Sequence, residues 1–134
     1  VRAWAQQEKL PDGRRVVDQE WVQTSLARLT AKASFLELLN WKVAWSISQG
    51  GLNPADASAL KVHGSEFFIE AYRALMEVLG AGSVLRSGSP GAALAGDLER
   101  WMRAALVLTF GGGTNEIQRD MIAMVGLGMP RPPR

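Results

Sequence analysis

Cysteine is absent from this 134-residue chain, so it has no disulfide framework and no thiolate metal site. Histidine occurs once, as His63, which leaves little for an imidazole-based catalytic pair. The longest nearly uninterrupted apolar run, Ala104 to Phe110, is far shorter than the ~20 residues that cross a bilayer. No charge of one sign dominates: 15 Lys and Arg against 13 Asp and Glu give a formal charge of +2, scattered along the whole length. Without a basic stripe or aromatic-basic interleaving, nucleic acid is not an expected partner. No charged and apolar leader stands at Val1. These absences lead to the expectation of a soluble, cytoplasmic protein with no membrane span.

What is present is apolar and helical. Hydrophobic residues make up 47% of the chain, enough for one domain with its own core and too little length for two. Val22, Leu26, Leu29, Ala33, Leu36, Val43 and Ile47 recur at alternating steps of four and three, with Asn40 interrupting the seam, behind a candidate cap at Asp18. Gly50-Gly51 ends that helix. Asn53-Pro54-Ala55-Asp56 starts the next with a capping residue, a proline at the first helical position and an early carboxylate. Leu60, Gly64, Phe67, Ala71, Leu75 and Val78 form its stripe, which Gly80 and Gly82 stop.

A loop to Gly91, a third helix from about Ala92 (Leu94, Leu98, Trp101, Ala105, Leu108) and a fourth carrying Ile117, Met121 and Met124 complete the pattern. Pro130, Pro132 and Pro133 end regular structure. No window of comparable length alternates like a strand. The expected fold is all-α, an up-down antiparallel four-helix bundle. The chain opens without Met in what reads as mid-helix. The expectation is therefore a single helical domain over 1–134 cut from a longer chain, with 1–16 a remnant of a preceding helix and loop and 129–134 a proline-rich tail.

Phe110-Gly-Gly-Gly-Thr-Asn-Glu-Ile-Gln-Arg119 is the most informative stretch. Three glycines bare the backbone between two apolar helical segments, and Thr114 restarts a helix as an N-cap whose following N–H groups favour negative charge. By physics alone this is either a helix-loop-helix corner or a ligand-holding turn. It lacks the Lys of a P-loop and the spacing of a dinucleotide turn.

Gly112-Gly-Thr-Asn-Glu-Ile-Gln-Arg119 resembles the C-terminal signature of the acyl-CoA dehydrogenases. The resemblance continues in order: Leu26-Ala-Arg-Leu through Val43-Ala-Trp45 and Gly50 is similar to the family's long helix, and Ala57-Ser-Ala-Leu-Lys61 to its Ala-Ser-x-x-Lys helix start. Glu77-Val-Leu-Gly-Ala81 falls where the family writes Gln-x-x-Gly-Gly, a turn that meets the flavin of the neighbouring subunit. Three departures matter, the first being Glu77 and Ala81 in place of that turn's Gln and second Gly. Gly112 stands where many members carry the catalytic Glu, and Leu10-Pro-Asp-Gly-Arg-Arg15 replaces the expected Arg-x-x-Phe-Gly motif.

The resemblance implies FAD as cofactor, with Thr114, Asn115 and Glu116 against it, Glu77, Gly80 and Ala81 serving a neighbouring subunit's flavin, and Gly113 beside the acyl thioester. It implies α,β-dehydrogenation of a fatty or sterol-like acyl-CoA to the trans-2-enoyl-CoA, as part of lipid degradation, with electrons passing to an electron-transfer flavoprotein. Gly112 offers no carboxylate, so no catalytic residue is assigned and the base is expected upstream of Val1. A homo- or hetero-oligomer is expected, and the fragment alone is expected to be inactive. The competing readings are a non-catalytic assembly subunit with decayed flavin motifs and an unrelated helical interaction module. His63 reads as a structural histidine, Trp41 and Trp45 as packing residues one turn apart, and Lys61 and Arg119 as ordinary salt-bridge partners.

Overall fold

The computed structural model describes residues 1–131; Pro132 and Pro133, expected to end regular structure, lie outside them. Among the described residues five α-helices follow one another: α1 (Arg2–Gln7), α2 (Glu20–Ser48), α3 (Pro54–Leu79), α4 (Asp97–Ala105) and α5 (Asn115–Met121). Among the described residues there is no strand, only an isolated bridge between Lys9 and Arg15. Two long helices and two shorter ones give the expected up-down bundle order, with the six-residue α1 added in front. The chain clusters into two compact units, one formed by Val1–Lys32 with Phe68–Leu106, the other by Ala33–Phe67 with the segment from Val107 onward.

In the first unit Ala5, Val16, Val22 and Val78 form a buried cluster, with Trp4, Leu10 and Leu26 packed against it. The segment ahead of α2 is thus part of this core. The turn through Leu10 to Arg14 closes with Leu10 N–H donating to the Arg14 carbonyl at 2.8 Å, and Val16 N–H reaches back to Glu8 at 3.0 Å. Lys32 on α2 pairs with Glu70 on α3 while Val22 and Val78 share the core cluster, so the two helix segments run antiparallel.

In the second unit Lys42 pairs with Asp56 at 2.8 Å, and Gly64 lets α3 approach Leu36, whose Cδ1 would lie 3.5 Å from a Cβ at that position. These segments are antiparallel as well. Asn53 caps α3 as expected, its side chain accepting from Ala55 N–H at 2.9 Å. Gly50, at φ +87°, ends α2 with Gly51 N–H donating to the Ser46 carbonyl, the six-to-one closure that only a left-handed residue allows.

Two expected helix starts move. Asp18 does not cap α2; it ends a short 3₁₀ turn (Val16–Asp18), and its carboxylate accepts from the Arg15 N–H at 3.0 Å and guanidinium at 2.7 Å. Gln19 stands ahead of α2 instead, its carbonyl accepting from Gln23 N–H. The third helix begins at Asp97, five residues after Ala92, because Leu94 (φ 49°), Ala95 (φ 55°) and Gly96 (φ 76°) are left-handed and cannot continue a right-handed helix. A Cβ on Gly96 would overlap the Arg86–Ser87 backbone, so this turn is seated against that loop.

The α3 stripe is buried at Phe67, Ala71 and Val78. A second face, Ala55, Ser58, Val62 and Ser65, is buried too. The α2 stripe is covered at Val22 and Leu29, whereas Ile47 is exposed. After α5 a π-turn (Ile122–Gly126) packs its last glycine on Ala55, where a Cβ would come within 2.9 Å of the alanine methyl.

Candidate functional site

The glycine turn is built between a 3₁₀ segment (Leu106–Thr109) and α5. Gly111 N–H donates to Val107 at 2.7 Å, and Gly113 N–H to Phe110 at 3.2 Å. Gly112 and Gly113 have φ of +72° and +101°, a region that L side chains enter only at a cost. A Cβ at Gly112 would meet nothing within 4 Å, so the backbone there is open on its outer side. Thr114 is the N-cap, its hydroxyl accepting from Ile117 N–H at 3.3 Å. Gln118 folds back and donates to the Gly112 carbonyl at 3.1 Å.

From below, α3 holds this turn with polar side chains. Lys61 Nζ donates to the Gly113 carbonyl at 2.6 Å, to Asn115 Oδ1 at 2.6 Å and to the Thr109 carbonyl at 3.2 Å. Asn115 is buried and its Nδ2 donates to Ser65 Oγ at 3.0 Å and to Glu66 at 3.3 Å. Ser65 in turn donates to the Val62 carbonyl. Glu66 also accepts from Arg119 at 2.6 Å, the ordinary salt bridge expected of that arginine. Lys61 departs from expectation, since its partners are two carbonyls and an amide oxygen rather than a carboxylate.

The expected site residues therefore divide. Gly113, Thr114, Asn115 and Glu116 are consecutive on one turn, with Thr114 and Glu116 exposed and the Asn115 side chain turned inward onto α3. The Glu116 carboxyl is held below the ordinary glutamate value, first by its own backbone N–H and then by the Thr114 hydroxyl. Glu77, Gly80 and Ala81 belong to the other compact unit, at the end of α3, where Gly80 (φ +70°) turns the chain into a 3₁₀ segment (Gly80–Val84). Glu77 and Ala81 are exposed.

His63 lies edge-on to Phe35, ring centroids 4.9 Å apart, and parallel to Phe67 at 6.5 Å. Its buried Nε2 has no hydrogen-bond partner among the described residues. No cluster of three metal-ligating side chains occurs among the described residues. No described helix is long and apolar enough to cross a membrane.

The model of the acyl-CoA dehydrogenase C-terminal domain matches residues 1–127. The chain belongs to this family. As an acyl-CoA dehydrogenase C-terminal domain it is 59% identical to acyl-CoA dehydrogenase FadE26 of Mycobacterium tuberculosis, over 98% of this chain and 34% of that protein. The chain thus spans about a third of the length of the curated relative. Among solved structures it is similar to a chain of the ChsE4-ChsE5 complex from Mycobacterium tuberculosis, with 60% identity and a TM-score of 0.91 over 98% of this chain and 34% of that one. It is also similar to the Tcur3481-Tcur3483 steroid ACAD, with 48% identity and a TM-score of 0.83 over 87% of this chain and 30% of that one. In this acyl-CoA dehydrogenase domain the signature turn is the segment clamped by Lys61. The pattern that could have revealed the clamp is Lys61 and Ser65, one helical turn apart on the face α3 shows to the turn.

Proposed function

We propose that this chain is the C-terminal helical domain of a flavin-dependent acyl-CoA dehydrogenase that removes hydrogen from the α and β carbons of a steroid-bearing CoA thioester, working in the cytoplasm. The observation that carries the reading is the family match over residues 1–127, and the bare, clamped backbone at Gly112–Thr114 supports it. The steroid class is supported by the 48% identity to a chain of the Tcur3481-Tcur3483 steroid ACAD.

The residues present fit a flavin. Gly112 leaves its outer side open, and Thr114 and Glu116 are exposed beside it. Thr114, Glu116 and the Asn115 backbone would hold FAD, Gly113 would lie along the thioester, and Glu77, Gly80 and Ala81 would serve the flavin of an adjoining subunit. When bound, FAD would accept the β hydrogen as hydride, its two electrons then leaving to an electron-transfer flavoprotein. The chain's own part is alignment. Removal of the α proton needs a carboxylate within hydrogen-bond reach, which Gly112 lacks, and we assign it to a residue of the whole protein outside these 134. Assembly is supported by the apolar face of Leu38, Trp41 and Trp45 and by the hetero-complex in which a similar chain was solved.

A second reading keeps the bundle for assembly only. Gly112 and Ala81 favour it, since each stands where the family resemblance expects a functional residue. Flavin absorbance of the purified full-length protein separates the two. In the enzyme, Glu116→Gln weakens flavin retention more than it moves the apparent pKa of turnover. A full-length protein that neither retains nor rebinds FAD, alone or with its partner subunit, overturns the enzymatic reading.

A further inference from the structure

The Lys61 ammonium has three N–H donors, and it meets three acceptors: the Thr109 and Gly113 carbonyls and Asn115 Oδ1. These lie 48, 52 and 54 positions further along the chain. One side chain, rooted in the N-terminal third of a 26-residue helix, therefore grips both ends of the glycine turn. Between the two ends run Phe110 to Gly112, where glycine supplies much conformational freedom and no side chain with which to hold itself. Hydrogen bonds from a cation are the stronger kind, and this cation is part-buried.

Asn115 adds a second tie. Its oxygen is taken by Lys61 and its nitrogen by Ser65 and Glu66, so the first residue of α5 is locked in register with α3. We propose that Lys61, seconded by Ser65 through Asn115, is a positioning residue that sets the backbone course from Phe110 to Thr114. Its functional consequence rests on the flavin reading above: the turn is presented to the cofactor preformed, so binding does not have to order three glycines.

Hydrogen exchange by mass spectrometry on the full-length protein tests this, comparing peptides covering 106–118 with peptides covering 20–32. Lys61→Met should raise exchange in the turn at least about tenfold while 20–32 keeps its rate, as loss of charge-assisted hydrogen bonds requires. Ser65→Ala should raise it less, in the same peptides only. In the flavin-loaded protein Lys61→Met should also raise the dissociation constant for FAD and shift its visible band. Unchanged exchange in the turn of folded Lys61→Met overturns the inference; if that variant does not fold, unchanged exchange in Ser65→Ala overturns it. A turn that loosens while FAD binding stays at wild-type strength supports the Lys61 role and overturns the flavin placement at this turn.

Discussion

Asp18 turns its carboxylate back on Arg15, with 2.7 Å between Oδ1 and the guanidinium, and leaves the start of α2 to Gln19. The pair closes the 3₁₀ turn that delivers Val16 into the core of the first unit. The Arg15 side chain, followed by the Arg15 N–H, holds the Asp18 carboxyl below its ordinary value of 3.8.

A carboxyl depressed in the folded state stabilises the fold above its unfolded pKa and stops doing so as pH falls through the folded one. Asp18→Asn should therefore lower the melting temperature slightly at neutral pH, where the pair is intact. The difference from wild type should shrink as pH drops below 3.8. Melting curves at stepped pH check this; a difference that grows in acid contradicts it.

Thr114 is the one hydroxyl cap of α5. Thr114→Ala should cost about 1 kcal/mol by denaturant unfolding, and Thr114→Ser much less, because serine keeps the oxygen that accepts from Ile117.

Glycines with similar positive φ should respond unequally to alanine. At Gly112 nothing lies within 4 Å of the new methyl, and the backbone strain alone costs roughly 1 kcal/mol. At Gly96 the methyl would also press to 2.8 Å on the Arg86 carbonyl carbon, a backbone atom, so the loss should be at least about 2 kcal/mol. Equal losses at both sites would contradict the seating of Gly96 against the Arg86–Ser87 loop.

The apolar face of α2 should favour association. Light scattering should find dimers or larger species, and replacing Leu38, Trp41 and Trp45 together with Ser should shift the population toward monomer while leaving the helical circular dichroism signal in place.

The helix map was largely readable because its punctuation is local. Asn53-Pro54 and Gly50-Gly51 act within one turn of where they stand, and so does Thr114. Asp18 was misread because a capping residue also serves a preceding turn, and only the Arg15 geometry shows which turn won. The late start of α4 is hidden because Leu94 and Ala95 are ordinary helix formers, and their left-handed conformation beside Gly96 has no local signal. The second buried face of α3 was missed because Ser58 and Ser65 look like surface residues. At the candidate site, the consecutive residues Gly113 to Glu116 were visible as a motif. The ties that hold them come from some fifty positions away, at Lys61, where the one-turn spacing to Ser65 marks a polar face of α3 but not the turn that it meets.

Trp41 and Trp45, at 66% and 65% exposure, give the protein an optical probe of its own. An indole in water emits further to the red than one enclosed in protein, so any occupant of this face would announce itself as a shift to the blue. Trp4 offers a reference, being partly enclosed in the other unit's core. With the exposed Trp21 and Trp101 changed to Phe, any shift in the remaining emission would read that single face of α2 over the constant contribution of Trp4, with no added label.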